Sequence, residues 1–141
     1  MRFIYNTKNT FNQEVFNLIK KNYANNKDFT PEYQYKMIMF CDYWFILYDE
    51  KSMDIIAECS VSVENTNVIE INDVLVVEKY RGMRYSEVLL MNVLYHFGEN
   101  KKMMVKISCE LNNIPAYRCY EKLFENPYNK DNRYAYFCLT I

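Results

Sequence analysis

The residues best placed to do chemistry sit in a short basic turn. Arg81, Gly82, Met83, Arg84, Tyr85 and Ser86 separate a branched apolar run, Val74–Val77, from apolar residues at helical spacing, Val88, Leu90, Met91, Leu94 and Phe97. The run does not alternate, which suits a strand covered on both faces. A turn that opens a helix points free backbone N–H groups outward, and the helix dipole there favours a negative ligand. With Arg81 and Arg84 beside those amides, the segment is a candidate phosphate site; the competing reading is an exposed turn that happens to carry two arginines. Glu70 and Asp73, in the strand that leads to this turn, are candidate general bases. On strand parity they face opposite sides, so one at most reaches a ligand unless a bulge intervenes. The alternative is that both belong to a solvated strand start after Asn67. His96 reads as a helix-end histidine. Cys119, with no histidine near it in sequence, reads as a core thiol rather than a nucleophile.

Composition removes several other functions. A net charge of −1 gives no basic stripe for nucleic acid and no attraction to an anionic membrane. The five cysteines are odd in number, lie in apolar runs and form no Cys-x-x-Cys pair, and there is one histidine. Free thiols in a reducing compartment, no metal site and a cytoplasmic location are therefore the expectations. Neither a signal peptide nor an apolar span of ~20 residues is visible. Only two glycines are available, so turns that need positive φ are expected to use Asn or Asp.

The stretch Val74–Leu90, VLVVEKYRGMRYSEVLL, resembles the acetyl-CoA motif of the GNAT (GCN-related) N-acetyltransferase superfamily: a hydrophobic strand, then Arg/Gln-x-x-Gly-x-Gly/Ala, then a helix. Arg81 takes the first position, while Arg84 and Ser86 replace the two small residues. Downstream, ELNNIPAYRCYEKLF is similar to the family's Asn-x-x-Ala-x-x-x-Tyr segment, with Asn113, Ala116 and Tyr120 in place and Phe124 where a glycine is usual. The resemblance covers roughly residues 53 to 141. It implies acetyl-CoA as acetyl donor, with diphosphate on the amides of Gly82–Ser86 and pantetheine along Val74, Leu75 and Val76. It also implies Asn113 beside the pantetheine and Tyr120 meeting the leaving sulfur. Glu70, eleven residues before Arg81, stands where protein-acetylating members carry the base.

These groups need a scaffold. Met1–Tyr5 reads as a first strand. A capping-box pattern at Thr10–Gln13 opens a helix to about Tyr23, and Thr30-Pro31-Glu32 starts a short one, about Pro31–Lys36. Met37–Tyr48 and Met53–Glu64 read as a hairpin with a four-residue loop, and Val68–Val77 completes a meander. The helix after the basic turn ends at Gly98 as its C-cap. Met103–Leu111 follows as a strand parallel to Val68–Val77. Then come a helix over Ile114–Phe124, a polar loop over Asn126–Asn132 and a last strand, Arg133–Ile141.

The expected architecture is one α/β (α+β) GNAT-like domain over residues 1–141. Its mixed sheet has six to seven strands, in the order β-α-α-β-β-β-α-β-α-β(-β). The expected activity is acetyl transfer from acetyl-CoA to a primary amine of a small molecule or peptide, by a monomer or homodimer. Acceptor contacts are expected from Ala24–Lys36 and Asn126–Asn132. The alternatives are a catalytically degenerate GNAT fold serving as a CoA-binding or protein-interaction module, and an unrelated mixed α/β domain that matches by chance.

Overall fold

The computed structural model describes residues 1–8, 10, 12–23, 30–99 and 102–141. Seven strands form one sheet in the order β1-β2-β3-β4-β5-β7-β6. They are β1 (Arg2–Thr7), β2 (Tyr43–Tyr48), β3 (Ile55–Asn65), β4 (Val68–Val76), β5 (Met104–Glu110), β6 (Asn129–Lys130) and β7 (Tyr134–Thr140). Helices α1 (Gln13–Tyr23) and α2 (Pro31–Phe40) follow β1, α3 (Tyr85–Gly98) joins β4 to β5, and α4 (Ile114–Phe124) follows β5. The strand and helix order is the expected one, and only β4 and β5 run parallel.

Alternation along the strands divides the interior in two. Cys59, Val61, Ile69, Ile71, Val105, Ile107 and Phe137 face α3 and α4, packing with Leu89, Leu90, Val93, Tyr120 and Phe124. Ile4, Trp44, Ile46 and Ile55 face the other way and pack with Val15, Leu18 and Ile19 of α1 and Met37 of α2. The α1–α2 face is mostly apolar over β1 and β2, with Asn6 its buried polar member. Over β3, β4 and β5 it presents Ser60, Ser62, Glu70, Asn72 and Lys106, the strand neighbours of the residues that point into the α3–α4 core.

Several expected boundaries differ. α2 runs on through Met37–Phe40, so the strand expected from Met37 begins at Tyr43. Thr30 caps α2 by accepting from the Tyr33 N–H at 3.2 Å. Met37 is buried, but Met39 and Phe40 are 47% and 68% exposed. An apolar run that is wet on one side is a helix edge here and not a buried strand. Asn12, rather than Thr10, caps α1: its Oδ1 accepts from Glu14 N–H at 2.9 Å and Val15 N–H at 3.4 Å. Phe11 and the Ala24–Asp28 loop lie outside the described residues. The β2–β3 connection spans Asp49–Asp54, longer than the four residues expected, and uses Met53 at φ 62°. Gly98 is the last helical residue, and Glu99 takes the cap position in a right-handed conformation. Positive φ falls on Met53, Asp73, Arg84, Glu125 and Gly82, so Asn carries none of it among the described residues.

Candidate active site

β4 and β5 are partners only from Val68–Met104 to Ile71–Ile107. Beyond that rung Asn72–Val76 and Ser108–Glu110 diverge, and the sheet opens into a slot. The slot is a cleft of about 640 Å³ whose walls include Val74, Leu75, Val76, Ser108, Cys109 and Tyr120. Arg81, Gly82, Arg84, Tyr85, Ser86 and Asn113 line it at the end where α3 begins. Of the residues assigned a cofactor or catalytic role from the sequence, the structure gathers all but Met83, Glu70 and Asp73 here. Met83 is exposed in the same turn without lining the cleft, and Glu70 stands back on the paired part of β4.

The turn leaves backbone donors free at the start of α3. After Val77 the chain makes a short 3-10 helix, Glu78–Tyr80, in which the Arg81 N–H is satisfied by the Glu78 carbonyl at 3.2 Å. The next backbone N–H to find an acceptor is that of Val88, on the Arg84 carbonyl. From Gly82 to Glu87 the amides meet no protein acceptor among the described residues, which leaves a row of donors at the positive end of α3. Gly82 has φ +80° and nothing within 4 Å of where a Cβ would stand. Arg84 has φ 62° and ψ 25°, a left-handed conformation that glycine adopts without strain and arginine does not. The position therefore keeps the backbone of a glycine while presenting a guanidinium. Arg81 Nε donates to the Val76 carbonyl at 2.9 Å, which ties the turn to the slot wall. Ser86 Oγ points to Cys119 Sγ at 3.7 Å, across to α4, and Lys122 pairs with Glu87 at 2.9 Å along the same seam.

On the far wall, Asn113 caps α4 by accepting from the Ala116 N–H at 3.3 Å, and its amide nitrogen finds no acceptor among the described residues. Tyr120 is 5% exposed and packs edge-on against Phe124 and Phe137. Its hydroxyl makes no hydrogen bond among the described residues, yet no buried side-chain oxygen is left unsatisfied; the hydroxyl therefore opens on the cleft. Burial, with the Cys119, Cys109 and Cys59 thiols behind it, pushes the phenol above its ordinary range, so it carries its proton throughout neutral pH. Phe124 is fully packed in the core, and the positive φ that follows α4 is taken by Glu125.

The bulge that parity left open is present. Glu58 pairs with Leu75 but Ser60 with Asn72, so Cys59 on β3 faces two residues of β4, Asp73 and Val74. Asp73 sits in that bulge at φ 53°, and Ser60 Oγ lies 3.2 Å from its Oδ2. Ser60 points to the α1–α2 face, so the Asp73 carboxylate does too, on the same side as Glu70.

Sequence reasoning missed Glu58. It is fully buried, and both its oxygens accept hydrogen bonds, one from the Tyr33 hydroxyl and one from the Trp44 indole. Burial pushes its carboxyl up to about 8 against the pull of those two donors, with Asp73 adding to the rise. The signal was a lone acid inside Ile55-Ile56-Ala57-Glu58-Cys59, a run that otherwise has no reason to hold a charge. His96 stands far from the slot in a ring of aromatics, 4.7 Å from Tyr5 and 5.3 Å from Phe45, and burial lowers its pKa. All five cysteines are free. Among the described residues no group of three or more metal-ligating side chains converges, and no helix is long and apolar enough to cross a membrane.

The fold has counterparts among solved structures. The ribosomal-protein-S18-alanine N-acetyltransferase of Escherichia coli superposes with a TM-score of 0.65 at 11% identity, covering 99% of this chain and 94% of that one. ElaA of Escherichia coli gives 0.62 at 13% identity, with 97% of each chain covered. A Bacillus anthracis chain solved in complex with acetyl coenzyme A gives 0.56 at 20% identity, covering 70% of this chain and 62% of that one. These likenesses carry the fold. A search of curated proteins by sequence finds no match. The model of the Acetyltransferase (GNAT) family matches residues 12–124, from the first helix through the last one. With its slot, its turn and that match, the chain belongs to the GNAT acetyltransferase family.

Proposed function

We propose that the protein transfers the acetyl group of acetyl-CoA directly to a primary amine. The observation that carries this reading is the join between a split strand pair and a row of unsatisfied amides, which suits a ligand that is extended and amide-bearing at one end and a diphosphate at the other. Gly82–Ser86 would hold the diphosphate, with Arg84 adding charge. Val74, Leu75 and Val76, which lack β5 partners, would pair with the pantetheine amides, and Asn113 stands opposite. The bound acyl donor supplies the activated thioester; the chain's own groups orient it and move protons. Tyr120, neutral and facing the cleft, would give its proton or a hydrogen bond to the departing sulfur. A carboxylate on the acceptor side of the sheet, Glu70 or Asp73, would act as base, directly or through a bridging water.

The acceptor would enter from the α1–α2 face. There Lys106 pairs with Glu64 at 3.2 Å and Arg133 with Glu110 at 2.9 Å, and among the described residues neither Glu70 nor Asp73 forms an ion pair, which favours an acceptor that arrives as an ammonium. A peptide amine and a small-molecule amine meet that condition equally. A second reading, a CoA-binding module without turnover, draws on Arg84 and on the Ser86 hydroxyl being turned towards Cys119. Both readings predict that acetyl-CoA raises the melting temperature. Release of free thiol from acetyl-CoA in the presence of a panel of primary amines separates them: amine-dependent release supports the transferase, and binding without release supports the module.

A further inference from the structure

We infer that Asp73 is the group that touches the acceptor amine and takes its proton. The inference rests on the acyl-transfer reading above and assigns within it a role the sequence left between two carboxylates. The slot passes through the sheet. Val74 and Val76 pack towards α3 and α4, whereas Leu75 packs on the α1–α2 side. Tyr120 is on the first side. A base that serves an amine arriving from the second side must border the slot, face that side and be open to solvent. Three carboxylates are near enough to compare.

Glu58 fails on access: it is sealed beneath the surface with both oxygens occupied. Glu70 faces the right way but lies within the paired segment, on a rung with Lys106, three residues and therefore ~10 Å of strand behind Asp73. Asp73 is exposed, immediately precedes the slot wall at Val74, and is turned to the α1–α2 face by the bulge. Without the bulge, alternation would put this side chain in the apolar layer with Ile69 and Ile71. The left-handed backbone at Asp73 is thus the device that brings a carboxylate to the rim. Ser60, 3.2 Å away, fixes its direction.

The step balances without another reagent. An ammonium acceptor first gives one proton to Asp73, which passes it to water. The nitrogen lone pair then forms the N–C bond to the acyl carbon. The C–S bond breaks with its electron pair on sulfur, which takes the Tyr120 proton. The surplus nitrogen proton goes to Asp73, and Tyr120 is reprotonated from solvent. The products are the amide and the free thiol.

The test uses the full chain, acetyl-CoA and two acceptor classes: alkylamines, protonated at assay pH, and arylamines, already neutral. Asn tolerates positive φ as Asp does, so Asp73→Asn keeps the bulge. The expected result is a loss of ~10²–10⁴ in kcat with alkylamines, a much smaller loss with arylamines, and partial recovery in Asp73→Glu. The acetyl-CoA-induced melting shift should stay at its wild-type size. Wild-type kcat in Asp73→Asn, or equal losses for both amine classes, overturns the assignment while leaving acyl transfer intact. No thiol release from the wild type with any amine overturns the acyl-transfer reading itself and this inference with it.

Discussion

Tyr120→Phe isolates one oxygen atom. In the folded protein that oxygen has no partner among the described residues, so its removal strands no donor or acceptor. The ring keeps its edge contacts with Phe124 at 6.4 Å and Phe137 at 5.8 Å. Stability should therefore change by less than ~0.5 kcal/mol, or rise slightly as a polar group leaves an apolar wall. A structural tyrosine that anchored a core hydrogen bond would cost ~1–3 kcal/mol on the same substitution. For turnover, loss of a positioned proton donor costs ~10²–10⁴ in rate, equivalent to ~3–5 kcal/mol in the barrier. The assay pairs thermal melting, with and without acetyl-CoA, with thiol release under saturating amine. An unchanged melt, an unchanged cofactor shift and a collapsed kcat are expected together. An unchanged kcat would refute the role given to the phenol, and a large fall in apo stability would refute the claim that its hydroxyl is unpartnered.

Arg84→Gly should move stability and affinity in opposite directions. Relief of the left-handed strain returns ~1 kcal/mol, offset in part by glycine's greater chain entropy when unfolded. Loss of a charge-assisted phosphate contact costs ~1.5–3 kcal/mol, so acetyl-CoA should bind roughly ten to a hundred times more weakly in a titration calorimeter; equal or tighter binding would remove the guanidinium from the phosphate. Glu58 makes stability depend on pH. Its folded pKa, about 8, lies above the ordinary 4.5, so the folded state holds the extra proton between those values and stability falls as pH rises through that window. The slope from this one group is at most about 1.4 kcal/mol per pH unit. Melting temperature followed from pH 5 to pH 8, window edges taken from that shift, should therefore fall more steeply in the wild type than in Glu58→Gln. Parallel curves would show that the carboxyl ionises as if exposed.

What the sequence revealed, and what it concealed, follows from which interactions are local. The β4–turn–α3 unit was legible because the apolar period changes from continuous to helical across six residues, and the two arginines stand at the change. Asn113 and Tyr120 were singled out by the resemblance, and their spacing puts them at the cap and on the body of one short helix. The end of α2 was not legible: Met37-Ile38-Met39-Phe40 is as apolar as a strand, and only packing shows that one side stays wet. The bulge at Asp73 depends on how β3 and β4 register, a long-range choice that no local pattern records. The same holds for Glu58, whose two donors come from Tyr33 on α2 and Trp44 on β2. The scarcity of glycine pointed to Asn or Asp at positive φ; among the described residues Asp73 takes it, but so do Met53, Arg84 and Glu125, which composition does not single out.

The chain contains two glycines, one in the anion turn and one at the far end of the same helix, ~20 Å away. Their amide signals fall in a sparsely populated region of a nitrogen–proton correlation spectrum, so each can be followed without a full assignment. As acetyl-CoA is added, the Gly82 amide should shift and saturate with the melting-derived affinity, while Gly98 holds still. A Gly82 signal that does not move at saturating cofactor, or that moves no more than Gly98, would contradict the proposal that the diphosphate rests on the backbone of this turn.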